Sequence, residues 1–375
     1  MKVALVHDYL VQYGGAERVL ECFAEIFPKA PIYAMVYDKK LMKGAFADKK
    51  IITSFLQKIP FIGSHHRLFP LLMPMAIESF DLSKFDLVLS DSNSYAKGVI
   101  TAPRALHICY CHTPMRYAWD DCHQHFQEFG YSRITKKFIP LAMNYLRLWD
   151  KISASRADRY VANSKFVAER IKKYYQKDST VIHPPVDARK FHIFPRREKI
   201  KPPVARSYYL MVGRALPYKR FDIVVKAFNK LKLPLKIIGE GPEIKKLREI
   251  ASKDNIEFLG YLPDEKVAGC YAYCKAFIFP QEEDFGITAV EAMACGKPVI
   301  AYRGGGALET VAENKTGMFF DFQAPEAVME AVRKFDARQF NPEEIRKHAL
   351  EFDKNIFKEK IRDFIEEEYE KFKRQ

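Results

Sequence analysis

Short apolar segments alternate with segments of helical periodicity along most of this chain of 375 residues. The first apolar segment, residues 2–9, is rich in Val and Leu and precedes a segment, residues 16–27, whose apolar residues recur at helical spacing. Continuous apolar strands separated by helices are typical of a parallel sheet covered by helices on both faces. The pattern therefore predicts a doubly wound α/β domain. Its other predicted strands are residues 32–36, 86–90, 106–111, 159–162 and 180–183.

The composition changes between residues 184 and 204, where five prolines lie among arginines and lysines. This composition is typical of a stiff, exposed linker. The alternation then resumes, so we expect two consecutive α/β domains, residues 1–187 and 188–350. Residues 342–375 have a helical pattern throughout, and we expect residues 351–375 to pack back on the first domain. The predicted strands of the second domain are residues 208–212, 235–238, 256–259, 276–279, 298–301 and 318–320.

The predicted architecture indicates where a ligand would bind. Ligands of doubly wound sheets bind beyond the carboxyl ends of the strands. Two such domains joined by a linker leave a cleft, and we expect both sets of strand ends to face it. Residues that carry chemistry are therefore expected directly after the predicted strands.

Composition and charge exclude several classes of protein. Apolar residues make up 48% and charged residues 29% of the chain, which is typical of a soluble globular enzyme and excludes a disordered chain, a collagen or a small disulfide scaffold. No segment has the roughly 20 apolar residues of a membrane-spanning helix. The start has no signal-peptide pattern and the seven cysteines are scattered, which favours free thiols in the cytoplasm. The net charge of +14 attracts anions, whether nucleic acid, anionic lipid or phosphorylated small molecules.

Two glutamates, Glu283 and Glu291, follow the predicted strand at residues 276–279. Their spacing recurs elsewhere in the chain, so only their context is informative. The backbone N–H groups of Gly286, Ile287 and Thr288 would open a helix there and form a seat for phosphate. Glu291 would lie one helical turn further on and could accept two hydroxyl hydrogen bonds, as a ribose would offer. A solvated acidic loop before an ordinary helix is the alternative.

Cations and glycines follow other predicted strands. Gly213 and Arg214 end the first strand of the second domain, and Lys219 follows within a turn, an arrangement that suits a diphosphate. A basic loop on a basic protein is the alternative. Gly14 and Gly15 follow the first strand of the chain and would allow close approach of a ligand to the next helix. They lack the full Gly-x-Gly-x-x-Gly pattern, so a simple tight turn is the alternative.

His112 lies just past a predicted strand, in the segment with the densest polar and aromatic residues, 109–120. From that position its side chain could contact a substrate hydroxyl. A zinc site is the alternative, but no standard zinc spacing fits and we expect no metal. The candidate zinc ligands would be Cys109, Cys111, His112, Cys122, His123 and His125.

Residues 39–67 are strongly basic, and apolar residues are interleaved with the lysines and follow them. Such a stretch can lie in a membrane interface beside anionic lipid, with Lys49, Lys50 and Lys58 as lipid contacts. Prolines and a glycine interrupt the stretch and make burial as one regular element difficult. Core packing of the apolar residues is the alternative, and we favour membrane contact.

In this order along the chain, the motifs resemble glycosyltransferase family 4, whose members are retaining enzymes with the GT-B fold of two Rossmann-like domains. The resemblance covers nearly the whole chain. In the first half it is carried by residues 14–18 and 112–117, and the latter segment is most similar to mannosyltransferases that build O-antigen and related lipid-linked glycans. In the second half it is carried by Gly213-Arg214 with Lys219, by Glu283 with Glu291, and by residues 239–242, 257–260 and 296–301.

The resemblance implies a role for each of these residues. Arg214 and Lys219 would hold the donor diphosphate, Glu291 the ribose, and Glu283 the hydroxyls of the donor sugar. His112 would contact that sugar near its reacting carbon, and Arg116 would face the acceptor or the membrane. The other donor contacts implied by the resemblance are Gly14, Gly15, Gly213, Gly286, Ile287 and Thr288, with Tyr261 and Leu262 near the nucleobase.

The function implied is transfer of mannose from GDP-mannose to a lipid-linked or oligosaccharide acceptor at the cytoplasmic membrane face. The first domain would bind the acceptor and the second the nucleotide sugar, with no metal and with attack on the face from which the diphosphate departs. The same chemistry with a UDP-sugar donor is the nearest alternative. A non-catalytic nucleic-acid binder is a remote one, because the positive charge is spread over both domains and aromatic RNA-binding motifs are absent.

Overall fold

The computed structural model describes residues 1–42, 44–120, 133–193, 208–336 and 340–374. Contacts divide the chain into a first unit, Met1–Pro185 with Phe357–Gln375, and a second unit, Val186–Ile356. Most of the linker expected at residues 184–204 lies outside the described residues, as does Lys43 of the basic stretch. The boundaries expected at residues 187 and 350 stay predictions.

In its described residues, the first unit has a seven-stranded parallel sheet with the order β3-β2-β1-β4-β5-β6-β7. The chain starts in the middle of this sheet, builds one side and crosses over to build the other. The doubly wound prediction is therefore confirmed for this half. The strands are β1 Val3–His7, β2 Ile32–Ala34, β3 Ile51–Thr53, β4 Leu87–Ser92, β5 Leu106–Cys111, β6 Arg159–Ala162 and β7 Thr180–Val181.

Helices cover both faces of this first sheet. Alternate strand residues face opposite ways, so Leu5 and Leu89 join one hydrophobic cluster while Val6 and Val88 join the other. This arrangement explains the continuous apolar strands, since both faces are buried. The helices of this unit are α1 Gly15–Ile26, α2 Ile62–His65, α3 Met73–Glu78, α4 Arg133–Ser153 and α5 Lys165–Tyr175.

The strand β3 lies within the stretch that we assigned to a membrane interface. Ile51, Ile52 and Thr53 pair with β2 at the edge of the sheet, and Ile51 and Ile52 pack against the two hydrophobic clusters. Part of the stretch is therefore sheet and core: core packing was the alternative to membrane contact, and the strand was not predicted. The strand has only three residues and follows a run of lysines, so its periodicity was too short to recognise.

In its described residues, the second unit has a six-stranded parallel sheet with the order β10-β9-β8-β11-β12-β13. Its strands are β8 Tyr208–Val212, β9 Leu235–Ile238, β10 Ile256–Gly260, β11 Cys274–Phe279, β12 Val299–Tyr302 and β13 Gly317–Phe320. Its helices are α6 Phe221–Leu231, α7 Ile244–Ile250, α8 Asp264–Tyr273, α9 Ile287–Ala294, α10 Ala307–Thr310, α11 Pro325–Asp336 and α12 Pro342–Ala349.

The C-terminal segment is two helices and not the continuous helix that its pattern predicted. After α12 a short turn, Leu350–Phe352, precedes α13 (Lys354–Lys373). Val186 pairs with the chain at the break: its N–H donates to the carbonyl oxygen of Phe352 and its own carbonyl accepts from the N–H of Lys354, both at 3.0 Å. Asp353, whose Oδ1 accepts the N–H of Asn355 at 2.9 Å, is a helix N-cap signal that the sequence analysis missed.

The helix α13 packs on the first unit, as predicted. Phe357, Ile361 and Ile365 recur every four residues and are buried in the cluster that contains Leu5 and Phe23. The rings of Phe357 and Phe23 stack with centroids 6.0 Å apart. The apolar face of α13 thus completes the core of the first unit.

A conservative substitution tests this docking. Ile361→Val removes one methylene from a fully buried side chain, and we expect the free energy of unfolding to fall by about 0.5–1.5 kcal/mol. Ile152→Val is the matched control, because that side chain is 56% exposed and its change should stay within roughly 0.5 kcal/mol. Urea denaturation measures both, and equal effects would argue against burial of α13.

Candidate functional site

The strand β8 ends in a turn that packs backbone to backbone against the turn after β9. A Cβ atom on Gly239 would lie 1.9 Å from the carbonyl oxygen of Gly213, and one on Gly241 would lie 2.5 Å from that of Ala215. All three glycines have positive φ. Only glycine allows this close approach. Arg214 lies exposed on the turn that is held in this way.

Lys219 and Glu283 form an ion pair in the second unit. Lys219 ends the 3₁₀ helix Pro217–Lys219 and is only 9% exposed, and Glu283 lies half-buried in the loop after β11. The loops after β8 and β11 meet because these strands are neighbours in the sheet. The other carboxylate oxygen of Glu283 accepts a hydrogen bond of 3.4 Å from Nε2 of Gln281. An ammonium group has three donors, so Lys219 can bind a further anion while it holds Glu283.

A glycine turn after β12 supports the Glu283 loop from behind. The N–H of Gly306 donates to the carbonyl oxygen of Glu283 at 2.8 Å. A Cβ atom on Gly305, which has a φ of 58°, would lie 2.3 Å from the same oxygen. No other residue type could take this place without displacing the backbone of Glu283.

The first turn of α9 follows directly on this loop. Gly286 precedes the helix with a φ of 91°, and a Cβ atom there would lie 2.8 Å from the ring of Phe279. The N–H groups of Ile287 and Thr288 have no acceptor within the helix. Oγ1 of Thr288 and Oε1 of Gln281 are buried and have no hydrogen-bond partner among the described residues. Buried polar atoms without a partner point to a ligand that supplies one.

Glu291 lies one turn further along α9 and is only 3% exposed. The hydroxyl of Tyr271 donates to its Oε2 at 3.3 Å. Burial raises the pKa of Tyr271 well above its ordinary value, so the phenol remains a neutral donor. The Glu291 carboxylate is thereby held in a fixed position. Its oxygens retain the capacity to accept further hydroxyl groups.

Tyr261 and Leu262 lie away from these residues in the sheet, since they follow β10, two strands from β8. Tyr261 is 58% exposed, whereas Leu262 packs against the core. An exposed aromatic ring offers a face on which a base could stack.

In the first unit, His112 lies directly after β5 and is bonded to a buried carboxylate. Its Nε2 is 2.5 Å from Oδ1 of Asp91, which lies near the end of the neighbouring strand β4. The amide of Asn163 donates to the carbonyl oxygen of His112 at 2.9 Å. Asp91 is fully buried, and one tenth of the His112 side chain is exposed.

His7, at the end of β1, contacts the same carboxylate. Its Nδ1 is 2.8 Å from Oδ2 of Asp91, and its Nε2 is 3.6 Å from Oε1 of Glu17 on α1. Glu17 in turn accepts the N–H of Gly14 at 2.7 Å, so this N–H is already used within the protein. Gly15 begins α1 beside it. The Gly14–Gly15 turn is thereby joined to the ends of β1, β4 and β5.

Burial by itself would lower the pKa of His7, but its hydrogen bonds to Asp91 and Glu17 raise it to about 10. Burial would likewise raise the pKa of Asp91, but the charges and hydrogen bonds of His112 and His7 hold it below its ordinary value. His7 is therefore an imidazolium and Asp91 a carboxylate at neutral pH.

The remaining predicted contact residues differ in how far their side chains are buried. Arg116 is half-buried, and Oγ1 of the neighbouring Thr113 is buried with no hydrogen-bond partner in the described parts of the chain. Lys50 and Lys58 are exposed, whereas Lys49 is partly buried and lies 3.3 Å from Asp48.

Several residues of these sites were missed by the sequence analysis. His7 and Asp91 lie inside the strands, where a polar residue near the carboxyl end was the available signal. Asp8 directly follows β1, and its carboxylate accepts the backbone N–H groups of residues 93–96. Gly305 and Gly306 belong to a run of three glycines that begins three positions after a predicted strand, which is a visible signal for close backbone approach.

Among the described residues, no group of three or more His, Cys, Asp or Glu side chains is placed to hold a metal ion. Cys109 and Cys111 are buried free thiols, and Cys122, His123 and His125 lie outside the described residues. Within the described ranges, no helix is both long and apolar enough to cross a membrane.

Two family models match this chain, one to each half. The model described as Glycosyltransferase Family 4 matches residues 13–190, and the model described as Glycosyl transferases group 1 matches residues 194–370.

Curated relatives match over part of their length. The uncharacterized glycosyltransferase MJ1178 of Methanocaldococcus jannaschii is 29% identical over 222 residues, which are 57% of this chain and 60% of the relative. The GDP-mannose-dependent α-(1-6)-phosphatidylinositol monomannoside mannosyltransferase of Mycolicibacterium smegmatis is 32% identical over 144 residues, which are 34% of this chain and 38% of the relative. The matches therefore span less than two thirds of these relatives.

A solved structure matches over nearly the whole chain. The crystal structure of Anabaena Alr3699/HepE in complex with UDP superposes with a TM-score of 0.72 and 18% identity, covering 98% of this chain and 100% of that one. At this identity the likeness establishes the fold. With two parallel-sheet units and a family match to each half, the chain belongs to glycosyltransferase family 4 and has the GT-B fold.

Proposed function

We propose that this protein transfers a hexose from a nucleotide sugar to a glycan acceptor, with retention of configuration and without a metal. The observation that carries the proposal is the ion pair of Lys219 and Glu283 in the loops after β8 and β11. Gln281 and Thr288 add buried polar atoms that have no partner within the described residues. A sugar diphosphate can bind to such a set of groups. The cation and the helix N-terminus bind phosphate, and the buried polar atoms can hydrogen-bond to the ligand.

The second unit contains groups that can stabilise the negative charge of the leaving diphosphate. Cleavage of the bond between sugar and phosphate leaves positive character on the sugar carbon and an additional negative charge on the diphosphate. In this proposal Arg214, Lys219 and the first turn of α9 stabilise that charge. Little free energy is needed to position these groups. Lys219 is already held by Glu283, and the turn that carries Arg214 is held by the packing of its glycines.

Glu283 is assigned to positioning of the donor sugar, and Glu291 to the ribose. A carboxylate paired with Lys219 is a weak nucleophile but a good acceptor for sugar hydroxyls. We propose that the acceptor attacks the face from which the diphosphate departs and that a donor phosphate oxygen takes the acceptor proton. The glycosidase arrangement of two carboxylates is then not needed. His112 is assigned to the donor sugar.

GDP-mannose is the donor that we propose. The support is the resemblance of residues 112–117 to mannosyltransferases and the name of the Mycolicibacterium relative. A UDP-sugar is the second candidate, favoured by the fold likeness to a protein solved with UDP. Tyr261 and Leu262 are proposed to contact the base in either case.

Nucleotide affinity separates the two donors. We expect titration calorimetry to give at least about tenfold tighter binding of GDP than of UDP or ADP, which is about 1.4 kcal/mol. ADP controls for binding through the diphosphate alone. A preference for UDP of the same size would overturn the mannose assignment and leave the transfer chemistry in place.

We further propose a lipid-linked acceptor and a peripheral position on the cytoplasmic face of an anionic membrane. Lys50 and Lys58 are exposed, and Phe61 is 81% exposed in the same part of the first unit. The helix α4 adds an exposed apolar stripe at positions i, i+4, i+7 and i+11. That stripe consists of Leu141, Tyr145, Leu148 and Ile152, which are 45–70% exposed. We therefore propose membrane contact for these exposed side chains and not for residues 39–67 as a whole.

Flotation with liposomes tests the membrane proposal. We expect binding to vesicles that contain anionic lipid and weaker binding to zwitterionic ones, because each lysine near an anionic surface contributes about 1 kcal/mol. Leu141→Ser with Leu148→Ser, or Lys50→Glu with Lys58→Glu, should each lower the partition coefficient by about thirtyfold or more. Phe322→Ser, at a 73% exposed position of the second unit, is the control. Binding unchanged in both double variants would contradict the proposal.

A further inference from the structure

Arg220, directly after Lys219, has a backbone conformation that residues with a side chain rarely adopt. Its φ is 51° and its ψ is 37°, in the left-handed region that glycine adopts at no steric cost. Arg220 lies between the 3₁₀ helix Pro217–Lys219 and α6, so the chain passes from one helix to the next through this residue. An arginine in such a conformation points to a function of its side chain.

The guanidinium group of Arg220 reaches the loop after β13. Its Nη1 and Nη2 lie 3.4 Å from Oε1 and from the backbone oxygen of Gln323, and its Nε lies 3.2 Å from Oδ1 of Asp222. The side-chain amide of Gln323 extends this contact, because its Nε2 donates to the carbonyl oxygen of Pro280 at 2.9 Å. Pro280 directly follows β11. Arg220 and Gln323 thus connect the loop after β8 to the loop after β11.

This connection meets both loops beside the residues that we assign to the donor. One end directly follows Lys219, and the other directly precedes Gln281, whose buried Oε1 has no hydrogen-bond partner among the described residues. The same two loops are also joined by the ion pair of Lys219 and Glu283. A bound diphosphate would draw on the ammonium group of that pair, whereas the connection through Gln323 does not involve it.

We propose that Arg220 and Gln323 are positioning residues, which hold Lys219 and the loop of Glu283 at a fixed separation before a diphosphate binds. The binding of a diphosphate rests on the proposed function, whereas the connection between the loops does not. Without the connection, the two loops would have to be ordered on binding, and this ordering opposes affinity. The affinity for a nucleoside diphosphate should then fall, and the loss should depend on the presence of Lys219.

Gln323→Met tests the proposal without a change of charge. Methionine is similar in size to glutamine but lacks the amide that contacts Arg220 and Pro280. We expect titration calorimetry to give at least about fivefold weaker binding of GDP or UDP, whichever the wild-type protein binds more tightly. In a protein that already carries Lys219→Ala, the same substitution should weaken binding by less than about twofold, because no ammonium group is left to position. A purely structural role would give the same factor in both proteins.

Asn229→Leu is the matched control. Asn229 is half-buried on α6 of the same unit, and its side-chain amide also bonds to the backbone of another segment. Its Nδ2 donates to the carbonyl oxygen of Ile250 at 2.6 Å, and its Oδ1 accepts the N–H of Ser252 at 2.8 Å. We expect this variant to unfold at a lower temperature and to bind the nucleotide within about twofold of the wild-type protein.

Arg220→Gly separates positioning from stability. Glycine adopts the left-handed conformation without steric cost, so we expect the unfolding temperature to stay within about 2 °C of the wild-type value. Binding of the nucleotide should nevertheless weaken by at least about fivefold. Lys226→Ala removes an exposed positive charge from α6 and should leave the affinity within about twofold, which controls for the loss of charge.

Two outcomes would overturn the proposal. One is wild-type affinity in Gln323→Met, and the other is an equal loss of affinity with and without Lys219. If the wild-type protein binds neither GDP nor UDP, the proposed function fails, and hydrogen exchange of the free protein tests the connection by itself. Faster exchange of residues 213–220 and 280–286 in Gln323→Met than in Asn229→Leu would support the connection, and equal exchange in the two variants would contradict it.

Discussion

Replacing Lys219 by Ala should lower the rate of transfer by about 10²–10⁴-fold, on the order of 3–5 kcal/mol at the transition state. The reason is that, in the proposed mechanism, the departing diphosphate gains negative charge beside Lys219, whose ammonium group is largely desolvated at 9% exposure. At a position from which water is largely excluded, an ionic contact is stronger than at the protein surface. Steady-state kinetics with purified protein gives kcat, and the effect should fall mainly on kcat.

Lys226→Ala is the control for this prediction. Lys226 is on α6 of the same unit, with its side chain 53% exposed and 3.5 Å from Asp222. We expect its loss to leave kcat within about twofold, since exposed ion pairs contribute little. A Lys219→Ala protein that unfolds at the wild-type temperature and retains a near wild-type kcat would remove the leaving-group argument.

Replacing Glu283 by Ala should lower kcat/KM by about 10²–10³-fold, on the order of 3–4 kcal/mol, because the donor sugar loses its positioning group. The affinity for the nucleotide diphosphate should not fall, since Glu283 is assigned to the sugar. Removal of Glu283 also releases Lys219 from its ion pair, which strengthens the attraction for phosphate. Calorimetry with GDP alone measures this separately from turnover.

The combination of the two substitutions tests whether the ion pair acts as a unit. The two groups are in contact, so we expect the double variant Lys219→Ala with Glu283→Ala to lose less than the product of the single effects. If Glu283→Ala instead weakens GDP binding as much as it lowers kcat/KM, the carboxylate holds the loop and not the sugar.

Much of the fold could be predicted because parallel strands buried on both faces are continuous apolar runs. The runs at β5, β6, β8 and β9 were identified with the bounds that the structure has. The short edge strand β3 could not be identified, because its residues are half-buried and follow a lysine-rich segment. The turn at Leu350–Phe352 has a local signal in the N-cap residue Asp353, whereas its hydrogen bonds with Val186, more than 160 positions earlier in the chain, have none.

The candidate site could be predicted where its residues follow strands in local motifs. Lys219, Glu283 and the first turn of α9 are of this kind, and the structure joins the first two by an ion pair. His7 and Asp91 are 84 positions apart, and their contact depends on the pairing of β1 with β4. No local spacing encodes that contact. In the sequence, His7 and Asp91 are only polar residues near the ends of two apolar runs. The pairing of the two strands brings them together in a buried ionic network.

Release of the nucleotide diphosphate from a panel of nucleotide sugars, with and without lipid-linked acceptors, tests the central claim most directly. We predict release from GDP-mannose that a lipid-linked acceptor stimulates and that Lys219→Ala lowers by about 10²–10⁴-fold. Release from no nucleotide sugar above the level of the Lys219→Ala protein, with any acceptor, would contradict the account.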